Sequence, residues 1–239
     1  MGTVDTLLFR KAPASHDLLT KLEFYRRRYG LFHSLARFAA TRARFLWPII
    51  GPMVSGPYRR RWAASADGPK LLNLGGGSNI IAGALTADVD PRADCYVDAL
   101  RPLPFEDASI DLILLEEFIE HVSKEAGARL LRECRRVLKP GGSIRVATPD
   151  LDWLGTGIVG GTVDCDLMNS TFYGHGHRYI YSRAEMARTL AGAGFGAVRH
   201  SSYQDPESAL GYLDSHARRF AHDPLLSQYI EAKRPAGAA

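Results

Sequence analysis

The stretch Lys70-Leu71-Leu72-Asn73-Leu74-Gly75-Gly76-Gly77-Ser78-Asn79 joins a buried-strand pattern directly to a glycine turn. Three consecutive glycines let the backbone bend sharply and approach a bound molecule closely, and the strand before them provides a rigid base. A dinucleotide-binding turn has the form G-x-G-x-x-G, but here the third glycine position is Ile80. Asp88 and Asp90 also follow sooner than the ~20 residues expected of a nicotinamide-binding unit. The spacing therefore favours a mononucleoside ligand over NAD, with a purely structural turn as the alternative.

Further strand-like segments follow the glycine turn, and several of them end in polar residues. These strands are predicted at residues 85–91, 95–100, 110–115, 143–149, 195–203 and 227–233. Apolar residues at helical spacing predict an amphipathic helix over 124–138, which Lys139-Pro140-Gly141-Gly142 should end. Alternating strands and helices indicate a parallel sheet that binds ligands beyond the carboxyl ends of its strands.

Ordered motifs between residues 71 and 149 resemble those of class I S-adenosylmethionine-dependent methyltransferases. Leu74-Gly75-Gly76-Gly77 resembles the glycine-rich first motif, and Arg136-Val137-Leu138-Lys139-Pro140-Gly141-Gly142 is similar to the signature that follows the fourth strand. Glu116-Glu117-Phe118-Ile119-Glu120-His121 resembles a small bacterial group of predicted methyltransferases that is often associated with surface-polysaccharide synthesis. The resemblance implies an α/β fold with a Rossmann-like doubly wound sheet of seven strands, mostly parallel with an antiparallel last strand.

The same resemblance implies S-adenosylmethionine as the cofactor and suggests residues for each part of it. Asp88 would accept hydrogen bonds from the ribose hydroxyls, with Asp90 as its substitute if the register is off by two. Backbone N–H groups from Gly75 to Asn79, at the start of a following helix, suit the carboxylate end. Asn73 departs from the family, which usually has an acidic residue there. The candidate cofactor-binding residues are Asn73, Gly75, Gly76, Gly77, Asp88, Asp90, Asp98, Ala99, Leu100 and Glu116.

Methyl transfer to an aliphatic hydroxyl benefits from a group that removes the hydroxyl proton. The candidate catalytic residues are His177, His175 and Glu116, and His121 is a further candidate base. Two alternatives stay open: His177 and Tyr179 could clamp their own loop, and Glu116 could be a solvated carboxylate. No metal site is expected, because no third His or Cys forms a recognisable ligand pattern beside the two histidines.

Positive charge is concentrated in the first 70 residues. They contain 13 Lys and Arg against 4 Asp and Glu, a net of +9, whereas the remaining residues have a net of −5. We predict a basic helical N-terminal extension at 1–69 and a methyltransferase domain at 70–239. The basic residues between 24 and 61 alternate with aromatic ones, which fits a helical cap over the cofactor or a homodimer contact first, a peripheral membrane contact second, and nucleic acid last.

Composition and cysteine usage indicate a cytoplasmic protein, with membrane association as an option. The three cysteines form no short-spaced motif, as expected of a reducing compartment. The most apolar run, 45–54, is shorter than the ~20 residues of a membrane span and is broken by Pro48 and Pro52. The predicted function is methylation of a sugar hydroxyl in a surface glycan or glycolipid, as part of polysaccharide biosynthesis. The alternatives are methylation of a small metabolite on N or O, and a non-catalytic cofactor-binding adaptor that acts through its basic extension.

Overall fold

The computed structural model of the protein describes residues 18–42, 44–65 and 68–237. The chain forms two compact units, Met1–Ala99 and Leu100–Ala239. The first unit contains the basic helices together with three strands, and the second contains four strands and the remaining helices. The predicted division into an extension at 1–69 and a domain at 70–239 stays a prediction.

The first unit consists of helices that precede a small parallel sheet. Its elements are α1 (Leu18–Tyr29), α2 (Leu31–Arg42), a 3₁₀ turn (Arg44–Leu46), α3 (Trp47–Ala64), β1 (Leu71–Leu74), β2 (Ala84–Asp88) and β3 (Cys95–Tyr96). β2 pairs in parallel with both β1 and β3. All four residues of β1 are buried, as its continuous apolar run predicts.

The second unit has a mixed sheet with helices between most of its strands. Its strands are β4 (Ile110–Glu116), β5 (Leu138–Pro149), β6 (Gly196–Ser201) and β7 (Ser227–Lys233). Its helices are α4 (Lys124–Val137), α5 (Leu151–Gly160), α6 (Cys165–Asn169), α7 (Arg183–Gly192) and α8 (His216–Phe220), with 3₁₀ turns at Ile119–His121, Gly211–Leu213 and Pro224–Leu226 and a π-helix at Ser170–Gly174. Ser182 caps the start of α7, because its hydroxyl accepts a hydrogen bond from the Glu185 N–H.

The order of the seven strands in the sheet is β3-β2-β1-β4-β5-β7-β6. β4 and β5 are parallel, whereas β7 runs antiparallel to both β5 and β6. The predicted fold class, a Rossmann-like and mostly parallel seven-stranded sheet with an antiparallel last strand, is therefore confirmed.

Four local predictions were wrong. The second strand ends at Asp88 instead of residue 91. The segment 75–83 between β1 and β2 contains turns instead of the predicted helix start, because only nine residues separate the two strands. The third strand ends at Tyr96 instead of residue 100. The fifth strand begins at Leu138 instead of residue 143. Its pairing with β4 shifts from Ile110–Leu138 to Leu112–Ser143, so residues 139–142 form an irregularity within the strand instead of a loop between helix and strand.

Helix α3 continues through Pro52 and Pro57. The sequence suggested that prolines interrupt this apolar run, since an interior proline costs about 3 kcal/mol of helix stability. Tertiary packing offsets that cost here, because the large side chains of Trp47, Tyr58 and Trp62 on the same helix are buried. None of the helices within the described ranges is long and apolar enough to cross a membrane.

The N-terminal helices are tied to the β2–β3 region of the first unit. The buried carboxylate of Asp94 accepts hydrogen bonds from the Arg28 guanidinium at 3.1 Å and from the Tyr29 hydroxyl at 2.5 Å. The Tyr96 N–H donates to the Ser55 hydroxyl at 2.8 Å, and a Cβ on Gly51 would lie 2.9 Å from the Tyr96 ring. Because residues 75–83 and 89–94 contain no helix, α3 supplies helical cover to β3.

The second unit contains a fully buried ion pair at its sheet. Arg145 on β5 donates to the two carboxylate oxygens of Asp214 at 2.7 and 2.5 Å and to Glu231 on β7 at 2.8 Å. Neither Arg145 nor Asp214 has an exposed side chain. Removing one partner of such a pair strongly destabilises the fold, because the other charge is left buried without a counter-charge.

We therefore expect Asp214→Ala to lower the free energy of unfolding by about 3–5 kcal/mol. The double variant Arg145→Met/Asp214→Leu should recover most of this loss, because it removes both buried charges and Glu231 keeps its ion pair with Arg199. Asp107→Ala is the control: it removes an exposed partner of Arg136 and should cost under about 1 kcal/mol. Urea unfolding followed by circular dichroism measures all three, and equal losses for Asp214→Ala and Asp107→Ala would contradict this account.

Candidate functional site

Two groups of polar residues carry the candidate chemistry, one in each unit. In the first unit, the glycine turn follows β1 directly. The Gly75 N–H donates to the Ala87 carbonyl at 2.8 Å, and the Asn79 N–H donates to the Gly76 carbonyl at 2.8 Å. Gly75 and Gly77 have φ values of +73° and +52°, which non-glycine residues rarely adopt. Glycine is therefore needed at both positions to form this turn.

Asn73 supports the turn from below. Its side chain is almost fully buried, and its amide N–H groups donate to the Asn79 carbonyl at 2.9 Å and to the Thr86 hydroxyl at 3.2 Å. A Cβ on Gly76 would collide with the Asn73 amide nitrogen and lie 2.8 Å from its Cγ. The Asn73 Oδ1 atom is buried and accepts no hydrogen bond within the described part of the chain. Asn73 thus holds the turn in place. The sequence predicted Asn73 as a cofactor-binding residue and did not predict this structural role.

Asp88 stands at the carboxyl end of β2, facing the turn. Its Oδ2 accepts a hydrogen bond from the Gly77 N–H at 2.9 Å, and its Oδ1 accepts one from the Asp90 N–H at 2.8 Å. Burial raises the pKa of this carboxyl above its usual range. Each oxygen has a further lone pair, so Asp88 retains the capacity to accept two hydroxyl donors.

The structure separates Asp88 from its proposed substitute. The Asp90 carboxylate pairs with Arg92 at 2.6 Å and also accepts the Arg92 N–H at 2.8 Å. Asp90 therefore closes a local turn, whereas Asp88 is not paired in this way with an arginine of the described ranges. Asp98 and Ala99 follow β3 in the first unit, Asp98 half-buried and Ala99 buried, whereas the exposed Leu100 begins the second unit.

Glu116, at the end of β4, is occupied by hydrogen bonds. Its Oε1 accepts from the N–H groups of Ser215 and His216 at 2.7 and 2.9 Å, and its Oε2 accepts from the Arg219 guanidinium at 3.0 Å. The carboxylate is buried with these partners, which belong to the start of α8. Glu116 therefore anchors that segment, which leaves it poorly suited to act as a base.

The second group gathers histidines from separate parts of the second unit. The ring centroid of His177 lies 4.8 Å from that of His121 and 5.7 Å from that of His175. The His177 Nδ1 atom is 2.5 Å from the Thr171 carbonyl oxygen, to which it donates its proton. Burial lowers the pKa of both His121 and His177, which favours neutral imidazoles. The predicted pair His175 and His177 is thus joined by His121.

His177 and Tyr179 also contribute to holding their loop, as the alternative interpretation suggested. The loop is attached at the backbone, where the N–H groups of Arg178 and Tyr179 donate to the Glu120 carbonyl at 2.7 and 3.2 Å. The Tyr179 ring packs edge-on against that of Tyr181, with centroids 4.7 Å apart. A structural role and a chemical role for His177 are compatible, since its Nε2 is not used by the Thr171 contact.

Sequence reasoning missed the carboxyl pair beside these histidines. Glu120 is fully buried, and its Oε2 accepts a hydrogen bond from the Thr148 hydroxyl at 2.9 Å. Burial raises the pKa of Glu120 to about 7, and burial together with the neighbouring Glu120 raises that of Glu117 well above its usual range. Glu117 adopts an unusual φ of +51°. The repeated glutamates in 116–121 were the available signal, but their burial could not be read from the sequence.

Part of the chain is similar in sequence to known proteins. Residues 73–146 match the family described as "Methyltransferase domain". A Mycolicibacterium smegmatis protein described as "Probable S-adenosylmethionine-dependent methyltransferase" is 42% identical over 60 residues, 25% of this chain and 23% of that protein. A Mycobacterium tuberculosis protein with a similar description is 40% identical over 60 residues, 25% of this chain and 21% of its own length. The matched region thus spans under a quarter of the length of these relatives.

Structural similarity extends further along the chain. The crystal structure of a SAM-dependent methyltransferase from Archaeoglobus fulgidus superimposes with a TM-score of 0.50 and 14% identity, covering 91% of this chain and all of that one. At this identity the likeness concerns the fold alone. The sequence match over residues 73–146 and this fold agree with the resemblance of the motifs to class I S-adenosylmethionine-dependent methyltransferases. The cofactor of that class is S-adenosylmethionine.

The close fit of Gly76 over Asn73 predicts a local effect of substitution. Gly76→Ala should lower the free energy of unfolding by about 1–3 kcal/mol, because the new methyl group must displace a buried amide. The matched control is Gly155→Ala in α5, where a Cβ meets nothing within 4 Å and should raise helix stability by up to about 1 kcal/mol. Urea unfolding measures both, and an unchanged stability for Gly76→Ala would refute the proposed packing.

Proposed function

We propose that this protein transfers the methyl group of S-adenosylmethionine to a hydroxyl group of a sugar in a surface glycan or glycolipid. The observation that carries the cofactor half of the proposal is the Asp88 carboxylate, which lies against the N–H of Gly77 in a turn formed by positive-φ glycines. A carboxylate with unused lone pairs at the end of β2 suits a ribose diol, and the open backbone of the turn suits a close ligand.

The transfer step requires mainly alignment of the acceptor with the sulfonium methyl group. The acceptor oxygen forms a bond to the methyl carbon while the carbon–sulfur bond breaks, which leaves S-adenosylhomocysteine and releases the hydroxyl proton. We assign that proton to an imidazole of the pair His175 and His177, since both sit in the exposed to half-buried part of the histidine group. Glu116 is given no part in the step, because its oxygens already accept hydrogen bonds from α8.

The hydroxyl acceptor is favoured over an amine because burial lowers the pKa of His177, which leaves a neutral imidazole able to take the hydroxyl proton. An amine that arrives unprotonated can react without a protein base. The specific choice of a glycan rests on the sequence resemblance of 116–121. Methylation of a small metabolite on N or O is the competing enzymatic function, and a cofactor-binding adaptor without turnover is the competing non-enzymatic one.

The test is cofactor binding and methyl transfer by Asp88→Asn. We expect its affinity for S-adenosylhomocysteine, measured by calorimetry, to fall roughly 10- to 100-fold, the loss of one or two hydrogen bonds to a charged group. Asp90→Asn is the matched control and should keep near-normal affinity, because Asp90 is committed to Arg92. NAD serves as the negative ligand. Equal loss in both variants, or no binding by the wild type, would contradict the assignment.

The acceptor is identified in the same experiment with methyl-labelled cofactor. Purified wild-type protein is offered lipid-linked glycans, nucleotide sugars and an amine-containing metabolite extract, with Asp88→Asn as the inactive control. Alkali-stable label in a sugar supports the proposal. Label in a metabolite favours the competing enzyme, and binding without any transfer favours the adaptor.

We propose in addition that the protein is cytoplasmic and meets the membrane surface through its N-terminal helices. Large apolar side chains on α2, the 3₁₀ turn and α3 are exposed instead of packed. They are Leu31, Phe32, Leu35, Phe45, Leu46, Ile49 and Met53. Phe45, Ile49 and Met53 follow each other at four-residue spacing and therefore share one helical face. With a net charge of +9 in the first 70 residues, an anionic lipid surface is the occupant that matches both properties.

Not all of the arginines are available for this contact. Arg28 is buried against Asp94, and Arg37 donates to the carbonyls of Pro91 and Arg92 at 3.0 and 2.6 Å. Arg60 remains exposed on α3. Because much of the predicted basic surface is used inside the first unit, a purely electrostatic partner such as nucleic acid is less favoured than a surface that also accepts apolar side chains.

The membrane contact predicts binding to vesicles that contain phosphatidylglycerol. Ile49→Glu/Met53→Glu should lower the sedimented fraction at least 10-fold, because two charges would enter the lipid interface. Val159→Glu is the matched control, since Val159 is 90% exposed on α5 of the second unit and should leave binding unchanged. Failure of the wild type to sediment with vesicles, or equal loss in the control, would rule out this contact.

A further inference from the structure

The second unit brings three metal-binding side chains to one place. Single ligand atoms of Glu120, His121 and His177 all lie within 4.8 Å of one another. Glu120 and His121 belong to the turn after β4, whereas His177 comes from the loop before α7. The sequence interpretation excluded a metal because it sought a third His or Cys next to His175 and His177. The other two ligands, His121 and the Glu120 carboxylate, come instead from a turn that is distant in the sequence.

The Glu120 carboxylate has one oxygen in use and one without a partner. Oε2 accepts the Thr148 hydroxyl at 2.9 Å, while Oε1 is buried and accepts no hydrogen bond from any N–H or hydroxyl group in residues that the structure describes. The nearest histidine nitrogen, Nε2 of His121, is 3.9 Å from Oε1, too far for a hydrogen bond. A fully buried oxygen left in this state indicates a missing partner.

The histidines are oriented in the manner of metal ligands. His177 donates its Nδ1 proton to the Thr171 carbonyl at 2.5 Å, which leaves the lone pair of Nε2 for a ligand. The Gly176 backbone also acts on the His121 ring, where it opposes the lowering of the pKa by burial. Metal-ligating histidines generally donate their second ring N–H to a carbonyl or carboxylate, which fixes the tautomer.

We propose that Glu120, His121 and His177 bind a divalent transition-metal ion, with Zn²⁺ as the best match to two imidazoles and one carboxylate. Ligand atoms at about 2.0–2.1 Å from a tetrahedral zinc ion are roughly 3.4 Å apart. Closing the group from 4.8 Å therefore requires only small side-chain rotations. Three protein ligands leave a fourth position for water or for a hydroxyl oxygen, whose pKa a bound ion lowers. With His177 Nε2 bound to the ion, His175 is the member of the histidine pair left to take the proton released in methyl transfer.

A shared proton is the alternative partner for the buried oxygen. Glu117 and Glu120 interact closely, so a proton held between their carboxyls could satisfy Oε1 without an ion. The two explanations differ in a direct way, since only the first gives the protein a stoichiometric affinity for metal. The inference does not depend on methyl transfer, because binding is measured without S-adenosylmethionine.

The test is titration of the chelator-treated full-length chain with Zn²⁺ by calorimetry and with Co²⁺ by visible absorption. All variants carry Cys165→Ser, because Cys165 is an exposed thiol that could bind metal by itself. We expect one ion per chain and a visible Co²⁺ spectrum of a four-coordinate site. Affinity should fall at least 10-fold in His177→Ala, in His121→Ala and in Glu120→Gln.

His200→Ala is the matched control, because His200 is an exposed histidine on β6 outside the group. It should bind Zn²⁺ as the parent does. Circular dichroism checks that each variant is folded, and the half-exposed His121 and His177 keep the test valid if Glu120→Gln is unstable. The proposal is overturned if the parent binds no ion, as the shared proton predicts, or if His177→Ala and His121→Ala bind as tightly as His200→Ala.

Discussion

The glycine turn of the first unit depends on one contact, the packing of the Gly76 backbone onto the buried side-chain amide of Asn73. Gly76 lies directly over Asn73, and Asn73 reaches the Asn79 carbonyl and the Thr86 hydroxyl from there. One side chain thus connects β1, β2 and the far end of the turn. The positive φ values of the neighbouring glycines, and the position of the Gly77 N–H against Asp88, follow from this support.

Two glutamates that lie within the segment 116–120 have a comparable role in the second unit. Glu116 holds the start of α8, while Glu120 holds Thr148 through its carboxylate and the 178–179 loop through its backbone carbonyl. The segment after β4 is therefore a junction from which two loops are positioned. Burial raises the pKa values of the Glu117 and Glu120 carboxyls in this segment, and the neighbouring Glu120 adds to the effect at Glu117.

Much of this could be predicted from the sequence, because apolar runs and glycine turns report on local structure. β1, β4, α4 and β7 were predicted within a residue or two, whereas β2 ends at Asp88, three residues before the predicted end. The missing helix after Gly77 and the helical course of α3 through Pro52 depend on tertiary packing, which outweighs local preference. The same limit applies to the site: Asp88 was identified from its place after a strand, whereas the proximity of Glu120 to His177 requires the fold.

The attachment of the N-terminal helices to β3 has a consequence for how this chain can vary. Asp94 and Tyr96 take hydrogen-bonding partners from α1 and α3, and β3 consists of only two residues. A chain cut at residue 70 would leave a buried carboxylate without its arginine and a strand end without cover. The helical segment is therefore a structural part of the first unit, and its exposed surface can be exchanged during evolution only if the inward-facing residues are retained.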